Sequence, residues 1–152
     1  MGILLLVLGS LPGSRVLAAN SEGEIWDGVG QVFNIDGSVD YSFTATESVR
    51  MLDDQSGTIS EIHAIMSNGK EETYSETIRS KGMSFSVETR YGNGGGFCFD
   101  GGKICSSFVG TRFLSYHTTQ IVLSSEAKTY MAEMFVLGKP YQYLRETFTR
   151  RK

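Results

Sequence analysis

Met83-Ser84-Phe85-Ser86-Val87-Glu88-Thr89-Arg90 alternates strictly: Met83, Phe85 and Val87 share one face, and Ser84, Ser86 and Glu88 the other. Successive side chains on an extended chain point to opposite sides, so a period of two marks a half-buried strand. Lys81-Gly82 stands just before it, and glycine accepts the positive φ that a tight reversal needs. The stretch reads as a strand entered from a hairpin turn.

The same grammar extends in both directions. In 39–46, Val39, Tyr41 and Phe43 alternate with Asp40, Ser42 and Thr44. Turn pairs recur at Asp36-Gly37, Asn68-Gly69, Asn93-Gly94 and Asp100-Gly101, and Gly138-Lys139-Pro140 breaks the chain near its end. Between them lie runs of strand length at 25–34, 58–67, 72–79, 97–99, 104–109, 112–124, 128–137 and 141–149. Only 124–134 offers a helical alternative, with Ser125 as an N-cap; Thr129-Tyr130 and Phe135-Val136 favour a strand there.

Composition agrees with β structure. The chain carries 18 Gly against 2 Pro, with 9 Phe and 7 Tyr. Its 152 residues fit one domain, and a domain of that size buries about two-thirds of its unfolded surface without metal or many disulfides. About eight to ten strands joined in order by short turns predict a single all-β, antiparallel up-and-down barrel, since closure removes the exposed edges. A β-sandwich is the alternative; its longer crossovers fit the frequent turns less well.

The first 19 residues differ from the rest. An unbroken apolar run from Ile3 to Leu8, the breaker Pro12-Gly13 and the small residues Ala18-Ala19 follow the order of a secretory leader. Residues 1–19 are therefore read as a removable leader and 20–152 as the barrel domain, exported to the periplasm or beyond the cell. The basic start of such leaders is missing, and Arg15 sits where they are usually neutral; a buried N-terminal strand or helix end is the alternative. Loss of Arg15 leaves 13 basic against 17 acidic groups. That balance argues against a nucleic-acid partner, because phosphate binding is driven by clustered Lys and Arg. The apolar run is too short for a membrane-spanning helix of about 20 residues.

Trp26-Asp27-Gly28-Val29-Gly30 is a W-x-G-x-G on the first predicted strand. It resembles the opening of calycin-type barrels, the group of lipocalins, fatty-acid-binding and nitrobindin-like proteins. The resemblance implies that Trp26 packs near a closed end of the barrel beneath a basic side chain of the last strand, Arg145 or Arg150. It gives Gly28 and Gly30 a structural role, at places where coiled strands bend or backbones approach. The lipocalin form, G-x-W, is absent: the glycine before the Trp is Gly23.

Cys98 and Cys105 bracket Phe99-Asp100-Gly101-Gly102-Lys103-Ile104. With a turn at 100–103, the two cysteines face each other across a hairpin, close enough for a disulfide. Free buried thiols are the alternative; the spacing, with no His nearby, does not suit zinc. His63 and His117 lie mid-strand among polar residues and read as surface side chains, the sharper alternative being an axial haem ligand. Gly92-Asn93-Gly94-Gly95-Gly96 is followed by neither Lys-Ser/Thr nor a helix, so it reads as a flexible hairpin loop at the barrel mouth and not as a phosphate cradle. No G-x-S-x-G, H-E-x-x-H or P-loop is present.

These observations predict a non-enzymatic binding barrel without catalytic residues, cofactor or metal. A small apolar ligand would be lined by Met83, Phe85, Phe113, Tyr130 and Met134. The alternatives are a ligand-free structural or interaction module and, last, a haem-binding or enzymatic barrel. The leader makes a first prediction: N-terminal sequencing of natively produced protein should begin near Ala19 or Asn20, and an intact Met1 in the exported fraction would refute it.

Overall fold

Gly37 and Gly69 adopt φ of 85° and 80°, which L-residues seldom do, so the chain reverses at Asp36-Gly37 and Asn68-Gly69. The computed structural model describes residues 23–152. Between the reversals run ten strands: β1 (Glu24–Asn34), β2 (Val39–Met51), β3 (Gly57–Met66), β4 (Glu71–Lys81), β5 (Ser84–Thr89), β6 (Gly92–Phe99), β7 (Ile104–Gly110), β8 (Leu114–Ser124), β9 (Ala127–Val136) and β10 (Lys139–Arg150). Each strand pairs antiparallel with its sequence neighbours, and β10 returns to β1 from Trp26↔Arg150 to Asn34↔Gln142, closing the barrel. The expected up-and-down barrel is the observed fold. Residues 1–19, read from the sequence as a leader, lie outside the described residues. No described helix is long and apolar enough to cross a membrane, which says nothing about strands.

The meander gives the barrel two ends. The lower end holds the start of β1, the end of β10 and the β2–β3, β4–β5, β6–β7 and β8–β9 turns; the other turns form the upper end. Closure makes every second residue point inward. Trp26, Phe43, Ile62, Tyr74, Tyr130 and Phe148 belong to one apolar cluster, and Ile78, Phe85, Val87 and Val109 join the cysteines in a second under β4 to β7.

Two sequence expectations change. The 92–96 segment is no loop: it forms the first half of β6, and the chain reverses at Arg90-Tyr91. The glycines serve close approach here, since a Cβ at Gly94 or Gly96 would run into the β7 backbone at Phe108 or Ser106. The Asn93-Gly94 turn is therefore replaced by a strand pressed tightly to its neighbour. The 124–134 segment, by contrast, contains no helix: β8 ends at Ser124 and β9 begins at Ala127.

A short 3-10 turn at Asp100–Gly102 joins β6 to β7 and puts Phe99 opposite Ile104. Cys98 then meets Cys105 at a Cα separation of 4.0 Å, and the two are disulfide-bonded. Both are buried in the second apolar cluster. Replacing both cysteines by Ala should lower stability by roughly 2–3 kcal/mol, because the bridge closes only a short loop of the unfolded chain. Urea unfolding measures this, and an unchanged midpoint would mean that the bridge constrains nothing.

Candidate functional site

The alternation that fills the barrel with apolar side chains also turns charged ones inward. On β2 the inward series runs Phe43, Ala45, Glu47; on β4 Tyr74, Glu76, Ile78; on β9 Lys128, Tyr130, Ala132; on β10 Leu144, Glu146, Phe148. Register then groups them. Trp26 lies beside Glu47 across β1 and β2, and Lys128 beside Phe148 across β9 and β10.

Near the lower end, the Lys128 ammonium lies 2.6 Å from Glu47 Oε2, and Ser60 Oγ donates to Glu47 Oε1 at 2.8 Å. The same ammonium stands 4.5 Å from the ring centroid of Trp26 and 4.7 Å from that of Phe148. Stripping two charges of water costs several kcal/mol per ion. The ion pair, the hydroxyl donor and two aromatic faces offset that cost together.

The cation on Trp26 is therefore Lys128 of β9, a correction to the expectation of Arg145 or Arg150. Arg145 falls on the outward phase of β10, and Arg150, level with Trp26, pairs with Glu24 at 3.0 Å. Gly28 is the opening through which the belt fits. A Cβ there would stand 2.6 Å from Glu146 Oε1 and 2.8 Å from the Phe148 ring. Gly30 admits the Phe43 ring in the same way.

Glu146 is 1% exposed, and neither of its carboxyl oxygens has a hydrogen-bond partner among the described residues. Burial holds its pKa well above the usual carboxylate range; Glu47 adds to the shift and Lys128 opposes it. Tyr74 and Tyr130 titrate well above the usual phenol range, chiefly because both are buried, and Tyr74 also feels Glu146 and Glu76. Carboxyls, an ammonium and two phenols thus share one dry belt across the barrel.

The upper end is aromatic. Tyr41, Tyr91, Leu114 and Met134 are half-buried against the main cluster, and Tyr116 lies wholly within it. Burial raises the pKa of Tyr116, and the nearby Tyr91, Tyr41 and Glu72 raise it further. Gln142 Nε2 donates to Asp40 Oδ2 at 2.7 Å, and the Glu72 side chain, 7% exposed, pairs with Lys70. Glu72 Oε2, Gln142 Oε1 and the Tyr116 hydroxyl are buried without a described hydrogen-bond partner, while the Tyr91 hydroxyl has Arg90 beside it. Val32, Tyr41, Tyr116, Ala132, Met134 and Gln142 line a niche of about 10 Å³ there.

The sequence-derived lining residues are scattered. Tyr130 lies in the main cluster, Phe85 in the second, and Met134 at the upper niche. Met83 and Phe113 are 62% and 55% exposed, outside the interior. β5 begins at Ser84 and β8 at Leu114, so the two side chains belong to turns, and Phe113 is also out of phase with the inward Tyr116, Thr118 and Gln120. His63 and His117 point outward, to Glu71 and to Ser106 and Glu133, so neither reaches the interior as a haem ligand. Glu47, Glu146 and Lys128 were missed, although each stands two residues from an apolar inward neighbour.

No family model and no curated protein matches the chain. Solved structures do. An S-type phycobiliprotein lyase, CPES, from Guillardia theta matches with a TM-score of 0.68 at 7% identity, over 87% of this chain and 89% of that one. A protein of unknown function from the DUF3598 family of Nostoc punctiforme matches with a TM-score of 0.63 at 12% identity. That match covers 84% of this chain but 47% of the other, so the barrel here spans about half that protein's length. The likeness is one of fold, and of the resemblance drawn from Trp26 to Gly30 it supports the barrel. It also corrects the expectation that such a barrel is not an enzyme, since the Guillardia theta protein is a lyase.

The belt makes a prediction in pH. With its folded pKa raised above the unfolded value of about 4.3, Glu146 keeps a proton that the unfolded chain releases. Its contribution to stability is full below the unfolded pKa and is lost as pH rises through the folded one. Glu146→Gln stays neutral throughout, so its stability relative to wild type should rise as pH increases above the unfolded pKa of about 4.3. Urea unfolding across that range tests it; a difference constant with pH would show that Glu146 ionises normally.

Proposed function

We propose that the barrel binds a small amphipathic molecule at its upper end. The apolar body would sit against Val32, Ala132 and Met134, with donor groups reaching the oxygens around Tyr116. One observation carries this reading: Gln142 Oε1 and the Tyr116 hydroxyl, at the lining of an apolar niche, are buried without a described hydrogen-bond partner, and Glu72 Oε2, equally unpartnered, lies near Tyr116. Each buried polar atom left unsatisfied costs about 1–3 kcal/mol, so a core selected for stability alone gains nothing from leaving these three so near one another. A ligand with N–H or O–H groups satisfies the two acceptors, and its own acceptor satisfies the phenol.

The ligand is thus amphipathic rather than wholly apolar. A niche of about 10 Å³ holds no more than about one water. Entry therefore turns the half-buried Tyr41, Tyr91 and Met134 outward. A lyase on the same fold lends weight to a barrel that holds a small molecule. The Cys98–Cys105 bond supports an exported location, since such bonds persist in oxidising compartments.

The probe pair N-phenyl-1-naphthylamine and 1-benzylnaphthalene differs by one N–H donor. Fluorescence titration should give saturable one-to-one binding of the amine, tighter than that of the hydrocarbon. Gln142→Leu should weaken the amine about tenfold, the effect of losing roughly one buried hydrogen bond, and leave the hydrocarbon unchanged. Tyr116→Phe, which removes an unsatisfied hydroxyl, should raise the stability of the ligand-free protein. Absence of saturable binding by either probe, with protein from its native source free of small molecules by native mass spectrometry, would overturn the proposal.

A further inference from the structure

The outer wall of β6 and β7 departs from the rule that outward positions are polar. Phe97, Phe99 and Phe108 point outward and are 62%, 53% and 56% exposed, with Ile104 beside them at 37%. Register joins them into one face. Phe99 lies opposite Ile104, and Ile104 opposite Ile121 on β8. No outward position on β6 or β7 carries a formal charge. Monomeric proteins seldom leave aromatic groups contiguous on their surface, and loss of charge is the compositional sign of an interface centre.

The face contains both protrusions and recesses. Phe97 stands between Ser84 and Ser106, so a large side chain rises between two small ones. One row away, Phe108 lies beside Gly95, and Gly95 lies beside Ser86. A Cβ at Gly95 would stand 2.7 Å from the Phe85 carbonyl oxygen, so that recess stays open. The knobs are also held in place from behind. Cys98 sits between Phe97 and Phe99, and its bond to Cys105 ties β6 to β7 directly beneath them. A wall that is already rigid loses little freedom on contact.

We infer that this wall is the two-fold interface of a homodimer. A surface carrying both the knob and its notch is self-complementary, as a two-fold contact requires. Charge points to the same occupant. The chain carries a net charge of −3, so self-association is opposed least where no like charges are brought together, as at the outward positions of β6 and β7. An anionic lipid surface would instead select Lys and Arg, which β6 and β7 lack on their outward side. The four strands β5 to β8, about 4.8 Å apart, and seven residues at about 3.3 Å rise give a face of roughly 440 Å², with Glu88 of β5 and His117 of β8 at its borders. Two such faces bury roughly 880 Å², below the roughly 1,000 Å² of a stable specific contact, which corresponds to a weak, reversible dimer.

Sedimentation velocity on the full chain, from about 1 µM to about 1 mM, should show a monomer–dimer equilibrium with a micromolar dissociation constant. Phe97→Ser with Phe108→Ser should raise that constant at least about tenfold, removing two aromatic anchors. The melting temperature should hold, because both side chains are exposed. Val29→Ser with Ile65→Ser, exposed on the far wall of β1 and β3, should leave the equilibrium as it was. Monomer at every concentration overturns the inference, as does a dimer that survives loss of both phenylalanines or weakens equally in the far-wall variant. Binding of monomer to phosphatidylcholine vesicles, abolished by the Phe97 and Phe108 changes, would give the wall to lipid instead.

Discussion

The pairing of β1 with β10 governs the rest of the structure. From Trp26↔Arg150 to Asn34↔Gln142, the first strand meets the last and leaves no open sheet edge. Closure fixes the parity of every strand at once, because a slip of one residue would exchange inside for outside around the whole barrel. Gly28 and Gly30 lie in the strand that closes the ring, where Phe148, Glu146 and Phe43 occupy the space of the missing Cβ atoms. The W-x-G-x-G is thus a packing device at the seam.

Inside that ring, an ion pair stands where a hydrocarbon pair would serve stability equally well or better. Replacing a buried pair by packed apolar side chains is often neutral or stabilising, whereas removing one partner costs about 3–5 kcal/mol. Lys128 and Glu47 are bound to each other by that asymmetry, and Trp26 and Phe148 enclose the ammonium. Glu146 lies close enough to feel both charges. A polar interior of this kind is legible as function more readily than as stability.

The molecule separates its candidate tasks by direction. Unpartnered polar atoms lie at the upper end and around Glu146 in the belt, while the uncharged aromatic wall faces sideways on β6 and β7. The disulfide belongs to the wall's support, since it lies beneath Phe97 and Phe99 and away from the tyrosine rim. Barrels at 7% and 12% identity share the frame, as expected when parity and turn placement, and not particular side chains, define it.

The sequence by itself determined the alternation, the reversals and the partnership of Cys98 with Cys105, because each depends only on neighbours along the chain or across one hairpin. It also carried the seam motif, although not its partner. Lys128 lies over Trp26 because β9 and β1 both flank β10, a relation absent from the linear order. Glu72, Tyr116 and Gln142, from β4, β8 and β10, lie near one another at the upper end for the same reason. The glycines of β6 misled the sequence reading, since composition does not distinguish a glycine that frees the chain from one that lets a neighbouring strand approach. Local periodicity set which side each residue takes; only closure decided which residues share the inside, because that depends on contacts between strands far apart in the chain.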